Sequence, residues 1–212
     1  MNIIKEIKKI ARELNSKNRG CHAFDHTERV YELCKHIGEK EKANMDILSI
    51  AVYLHDIGRI DQDSSNGVVC HAEAGAKRAK RILEKYNLPK EKLDNIIHCI
   101  KTHRFRGGNK PETLEAKVLY DADKLDSIGA VGIGRLFFFA SEVGAYLHNK
   151  DIEVEKTKPY TKDDTAYREF LVKEQYIKDK IITKEGKKIA KGRHKFMVDF
   201  FNRINKEVGG DL

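Results

Sequence analysis

At 212 residues with 40% hydrophobic side chains, the chain is long enough to bury one substantial core and fits a soluble globular protein. No apolar run approaches a membrane span, since Leu136–Ala140 is only five residues, and Met1-Asn2-Ile3-Ile4-Lys5-Glu6 lacks the apolar region and cleavage site of an export signal, so a cytoplasmic protein without membrane contact is expected. Lysine and arginine outnumber aspartate and glutamate by 41 to 33, a formal +8 that favours anionic partners such as phosphorylated metabolites; nucleic acid is the less favoured partner, because Lys5, Lys8, Lys77 and Lys80 sit at the spacing of wet helix faces and no platform of interleaved aromatic and basic residues occurs.

Ile3, Ile7, Ile10, Ala11 and Leu14 recur at helical spacing and predict a first amphipathic helix, closed by the polar stretch Asn15 to Gly20. Cysteines at 21, 34, 70 and 99 form no paired motif, which argues against a disulfide framework or a structural zinc site and for reduced thiols. Asp25 is a candidate cap for a helix carrying His26, Val30, Leu33, Cys34 and Ile37 on one side, so His26 heads an apolar face. Cys21 and His22, just before it, have at most a supporting or substrate-facing role.

A third helix is predicted over Met45–Asp56, with Asn44 or Asp46 as its cap. Its apolar stripe, Ile47, Leu48, Ala51, Val52 and Leu54, runs directly into His55 and Asp56, and Gly58 lets the backbone turn away. An imidazole and a carboxylate buried there without partners would be costly. A divalent cation resolves the problem, because both groups are ready ligands. Alone, such a dipeptide is more often a surface pair; the recurrence of ligand-type residues elsewhere favours the metal.

Asp63 to Gly67 reads as a turn-rich loop, and His71 opens a helix reaching about Tyr86, with Glu73 near its N-terminus, where a carboxylate also simply stabilises the helix. Pro89 suits the first turn of the next helix, whose stripe is Leu93, Ile96, Ile97 and Ile100; His103 lies near that stripe and is followed by a basic loop, Arg104 to Gly108. Tyr120 to Asp126 holds Asp123, and Ile128 to Leu147 reads as a long helix whose glycines at 129, 132 and 134 permit close packing. Residues 149–164 are charged, contain Pro159 and lack periodicity, so they read as a loop or mobile lid and the only internal boundary. Two more helices follow from Thr165. No strand pattern or internal repeat is present, and His36, His98, His148 and His194 match no motif.

His26, the His55-Asp56 pair and Asp123 thus supply two imidazoles and two carboxylates in order along the chain. On these residues the sequence resembles the HD-domain superfamily of metal-dependent phosphohydrolases, and the resemblance covers most of the chain. Through His26-Thr27-Glu28-Arg29-Val30, Leu54-His55-Asp56-Ile57-Gly58 and Asp121 to Ala130 it is more locally similar to a small bacterial and archaeal branch. The resemblance implies an all-α, single-domain helical bundle: a core over 1–148, the loop or lid at 149–164, and a C-terminal helical pair at 165–212 packed on the core. It also implies His26, His55, Asp56 and Asp123 as ligands of a divalent metal; their mixed imidazole and carboxylate shell favours a transition metal, manganese first, with iron, cobalt, nickel, zinc or magnesium as alternatives. The implied substrate is a nucleotide, because the branch includes nucleotide phosphohydrolases and pyrophosphohydrolases.

Two histidines and two aspartates leave positions open on a six-coordinate ion, which suits hydrolysis at phosphorus by a water held on the metal. Asp56 is also placed to orient that water, and Arg59, Lys124 and Arg104 are the candidate phosphate contacts. Glu73, His71 and His103 are the candidates for proton transfer, undecided among themselves. Some relatives carry an acidic residue three positions after the motif aspartate; here that position is Arg59. Two alternatives stay open. One is a two-metal phosphodiesterase or di-iron oxygenase with His71 and His103 as extra ligands. The other is a non-catalytic basic helical module that binds nucleic acid. Association as a homodimer also stays open.

Overall fold

The computed structural model describes residues 3–17, 20, 23–65, 67–104 and 109–211. Ten α-helices and no strand occur among them, so the all-α expectation holds. Cys21, His22 and the loop residues 105–108 lie outside the described residues. No helix among the described residues is long and apolar enough to cross a membrane.

The chain divides into two compact units, the first formed by residues 1–123 and 182–186 and the second by 124–181 and 187–212. In the first unit the helices are α1 (Ile3–Leu14), α2 (Phe24–Glu41), α3 (Met45–Leu54), α4 (Arg59–Ser64), α5 (His71–Leu83), α6 (Lys90–Thr102) and most of α7 (Leu114–Leu125). Helix α3 is its axis: every residue from Ile47 to Leu54 is buried, and α1, α2, α5 and α6 pack around it. That burial explains the sequence, because a helix enclosed on all sides has no polar face to show. Each fully buried leucine or isoleucine, such as Leu48, Ile50 and Leu54, contributes about 1.5–3 kcal/mol. Asn44 caps α3 as expected, its side chain accepting from the amides of Asp46 and Ile47.

Several boundaries differ from the sequence expectation. Ala23, not Asp25, precedes α2; Asp25 lies inside the helix and pairs with Arg29 at 2.6 Å. Pro89 is one residue before α6 rather than within its first turn. Helix α3 stops at Leu54, so His55 and Asp56 leave it at its end, and the short α4 follows where no apolar period announced a helix.

Gly58 makes this sharp descent from α3 to α4 possible. A Cβ there would stand 2.2 Å from the carbonyl oxygen of His71 and 2.6 Å from the amide nitrogen of Gly75. Only glycine permits backbone to pass backbone so closely, and that approach brings the start of α5 against the His55-Asp56 corner.

The second unit contains α8 (Gly129–Glu142), α9 (Ala166–Val172), a 3₁₀ segment over Glu174–Lys180, and most of α10 (Lys184–Gly209). The helix expected from Thr165 onward is therefore broken at Lys173, whose backbone leaves helical geometry at φ −142° and ψ −60°. Phe170 and Phe201 stack at 4.6 Å in its core, with Tyr167 5.5 Å from Phe201. Residues 149–164 hold no α-helix. Their last residue, Asp164, is buried, accepts the Tyr160 amide at 2.6 Å and pairs with Arg168 at 2.7 Å.

Candidate metal centre

Six of the side chains singled out from the sequence meet in the first unit: His26, His55, Asp56, His71, His103 and Asp123. His26 stands in the first turn of α2 and Asp123 in the last turn of α7, with Nε2 of His26 3.3 Å from Oδ1 of Asp123. Oδ2 of Asp56 is 3.8 Å from His26 and 3.7 Å from Nε2 of His55. The other oxygen of Asp56 is 3.4 Å from Nε2 of both His71 and His103. The carboxylate of Asp56 thus lies between two groups of donors. Ligand atoms of His26, His55 and Asp123 all fall within 4.8 Å of one another, as do those of His55, Asp56 and His103.

The backbone settles which ring nitrogens face the centre. Nδ1 of His55 donates to the carbonyl of Val52 at 2.6 Å, and Nδ1 of His103 donates to that of Ile100 at the same distance. Both residues sit at helix C-termini, where the carbonyls of the last turn lack helical partners. His71 instead opens α5 and donates from Nδ1 to Oε1 of Gln62 at 2.8 Å. A neutral imidazole has one proton; with it on Nδ1, the lone pair on Nε2 points inward.

Burial disfavours the charged form of two of these rings. It lowers His55 to about 4, with Asp56 opposing, and lowers His71 to about 2. Burial alone would push the Asp56 carboxyl up, but Arg59 and then His55 outweigh it and hold the group well below the usual carboxylate range. Ionised carboxylate and neutral imidazole are the forms that bind a metal.

The residues fit such an ion. Nε2 of His55 is fully buried with no hydrogen-bond partner, as is Oδ1 of Asp56. Nε2 of His71 and Nε2 of His103 are 3.2 Å apart, both turned inward. Nitrogens at adjacent positions of one ion, each about 2.1 Å from it, are separated by about 3 Å.

The remaining candidates are placed differently. Arg59 donates from Nε to Oδ2 of Asp56 at 3.1 Å, so its first partner is a ligand candidate. Arg104 donates to Sγ of Cys70 at 3.3 Å. Glu73 is exposed on α5 and belongs to neither donor group. Lys124 is buried and begins the second unit. Gln62, on α4, has no sequence signal, because a lone glutamine nine residues before a histidine carries no recognisable spacing.

The model of the HD domain family matches residues 23–128. Protein YpgQ of Bacillus subtilis (strain 168) is 34% identical over 193 residues, covering 89% of this chain and 85% of that one. A crystal structure of YpgQ in complex with ADP superposes with a TM-score of 0.74 and 28% identity, covering 96% of this chain and 94% of that chain. A structure from an uncultured Thermotogales bacterium, described as a predicted HD superfamily hydrolase, superposes with a TM-score of 0.69 and 28% identity over 96% of this chain and 91% of that one.

Proposed function

We infer that this chain, which belongs to the HD domain family, is a metal-dependent phosphohydrolase acting on nucleotides. The observation that carries this reading is the convergence of His26, His55, Asp56 and Asp123, with the unpartnered Nε2 of His55 buried among them. These four side chains would hold the metal. A divalent ion, manganese first, supplies Lewis acidity that activates water and offsets charge on a phosphoryl group. A buried Asp56 kept ionised by Arg59 gives the ion a charged ligand at neutral pH. His71 and His103 keep Nε2 as their basic atom, so either accepts a proton there and not at Nδ1. Arg104, beside His103 in the chain, keeps guanidinium donors beyond the one given to Cys70 and is the phosphate contact in this reading. The nucleotide assignment is supported by the ADP bound to YpgQ.

The test is a panel of nucleoside mono-, di- and triphosphates and phosphodiesters assayed with several divalent metals, parent beside Asp56→Ala. Metal-dependent release of phosphate or pyrophosphate by the parent, lost in the variant, is the expected result. Turnover that survives in Asp56→Ala overturns the ligand assignment.

A second reading is favoured by one observation, the approach of His71 and His103 to the second oxygen of Asp56. It is a two-metal centre cleaving phosphodiesters or, with two irons, consuming oxygen. Metal analysis separates the two: one equivalent per chain supports the first reading, two equivalents the second.

A further inference from the structure

The segment matching the family model ends at residue 128, yet the groups that brace its last ligand-bearing helix come from residue 182 onward. Asp121 is fully buried in α7. Its Oδ1 accepts the amide of Ile182 at 2.9 Å, and its Oδ2 accepts both the amide and the hydroxyl of Thr183, at 2.7 and 2.5 Å. The same hydroxyl accepts the amide of Gly186 at 3.1 Å and so closes the first turn of α10. The Glu185 amide donates to the Glu41 carboxylate at 2.7 Å, and the Glu185 carboxylate meets Nε2 of His36 at 3.0 Å. Residues 182–186, which belong to the first unit, are therefore bonded to α7 and to α2, the helices that bear Asp123 and His26.

Asp121 and Asp123 are two residues apart on α7, about 200° around a helix. The first anchors the last turn from one face while the second reaches from the other to within 3.3 Å of His26. Hydrogen bonds to an ionised carboxylate are short, strong and directional, so this three-donor anchor fixes both the rotation and the depth of that turn. Ligand sites tolerate about 0.5 Å of misplacement.

We propose that Thr183, acting through Asp121, is a positioning residue for the metal centre: its hydroxyl sets where α7 presents Asp123. This rests on the reading that His26, His55, Asp56 and Asp123 hold a metal.

The experiment measures Mn²⁺ affinity by calorimetry and the Mn²⁺ paramagnetic resonance spectrum on full-length parent, Thr183→Val, Thr183→Ser, Asp121→Asn and His55→Ala, each with its metal-free melting temperature. Thr183→Val is expected to weaken Mn²⁺ binding about 10–100-fold, the range typical for groups that hold ligands in place, and to alter the spectrum. Thr183→Ser, which keeps the hydroxyl, is expected to retain parent affinity and spectrum. Asp121→Asn keeps the shape with one acceptor oxygen and is expected to fall between them; it also serves if Thr183→Val does not fold. Parent affinity in Thr183→Val or Asp121→Asn, even with a lowered melting temperature, overturns the proposal, as does equal weakening in Thr183→Ser. The control isolates the underlying reading: if His55→Ala binds Mn²⁺ as the parent does, or the parent does not bind it, the metal assignment itself falls.

Discussion

Nε2 of His71 and Nε2 of His103 face each other across 3.2 Å, while each ring turns Nδ1 to an acceptor, Oε1 of Gln62 and the carbonyl of Ile100 respectively. Two imidazole nitrogens this close together, each 3.4 Å from the Asp56 carboxylate, form an electron-rich place that favours a positive charge. Divalent metal is therefore expected to stabilise the protein, by about 2.7 kcal/mol at a hundredfold excess over its dissociation constant. His103→Leu removes one lone pair, so its metal-free melting temperature is expected to be no lower than the parent's while its metal-induced rise shrinks. Thermal unfolding with and without Mn²⁺ checks both, and an undiminished rise in the variant would exclude His103 as a metal ligand and with it the two-metal reading.

Stability of the metal-free protein is expected to fall as solutions become acidic. His55, buried, is lowered to about 4 and His71 to about 2, against an ordinary 6.5, so the unfolded chain binds more protons through that interval. Stability is fully present above pH 6.5 and declines as pH falls toward 4. His55 alone accounts for on the order of 3 kcal/mol by pH 4. Asp56, whose carboxyl is held low, adds a loss in the same direction below the usual carboxylate range. Urea midpoints that stay level from pH 7 to 4.5 would contradict this.

Gly58→Ala is expected to destabilise by about 2–3 kcal/mol, because its Cβ meets backbone atoms of His71 and Gly75 that no rotamer change can move. Gly192→Ala is the contrast. It lies within α10 with open space around the new methyl, and helix propensity alone should raise stability by roughly 0.5–1 kcal/mol. Chemical denaturation of the two variants reads the difference in sign.

Cys70 is expected to be alkylated well before Cys34 and Cys99. Burial works against its thiolate, but the Glu73 amide and then the Arg104 guanidinium outweigh burial and lower its pKa, whereas burial raises Cys34 and pushes Cys99 up to about 12. Peptide mapping after brief iodoacetamide treatment at pH 7.5 should find Cys70 labelled first of the three. Equal labelling would show that Arg104 does not hold the thiolate.

The parts of this molecule that the sequence discloses are those with a period or a motif. Ile47, Leu48, Ala51 and Leu54 announced α3, Asn44 announced its cap, and the ordered set His26, His55, Asp56 and Asp123 announced the donors that the fold brings together. Helix α4 was not legible, because Arg59 to Ser64 has one apolar residue and forms its turn by packing beside α5. Nor was the break at Lys173, since the apolar spacing of Phe170, Ile177 and Ile181 runs on through it. Gln62 with His71 and Thr183 with Asp121 are tertiary pairs of polar residues separated by nine and 62 positions. Polar partners at such distances leave no pattern for a single sequence to reveal.

The return of residues 182–186 to the first unit bears on how the chain is made. Asp121 leaves the ribosome some sixty residues ahead of the Thr183 that anchors it, and Glu41 144 residues ahead of Glu185. An emerging polypeptide can wind α1 to α6 from local contacts, but the last turn of α7 gains its full set of bonds only after residues 182 and 183 have been synthesised. Closing such long loops is entropically slow. The setting of Asp123 is therefore completed late in biosynthesis, after the helices α1 to α6 have emerged.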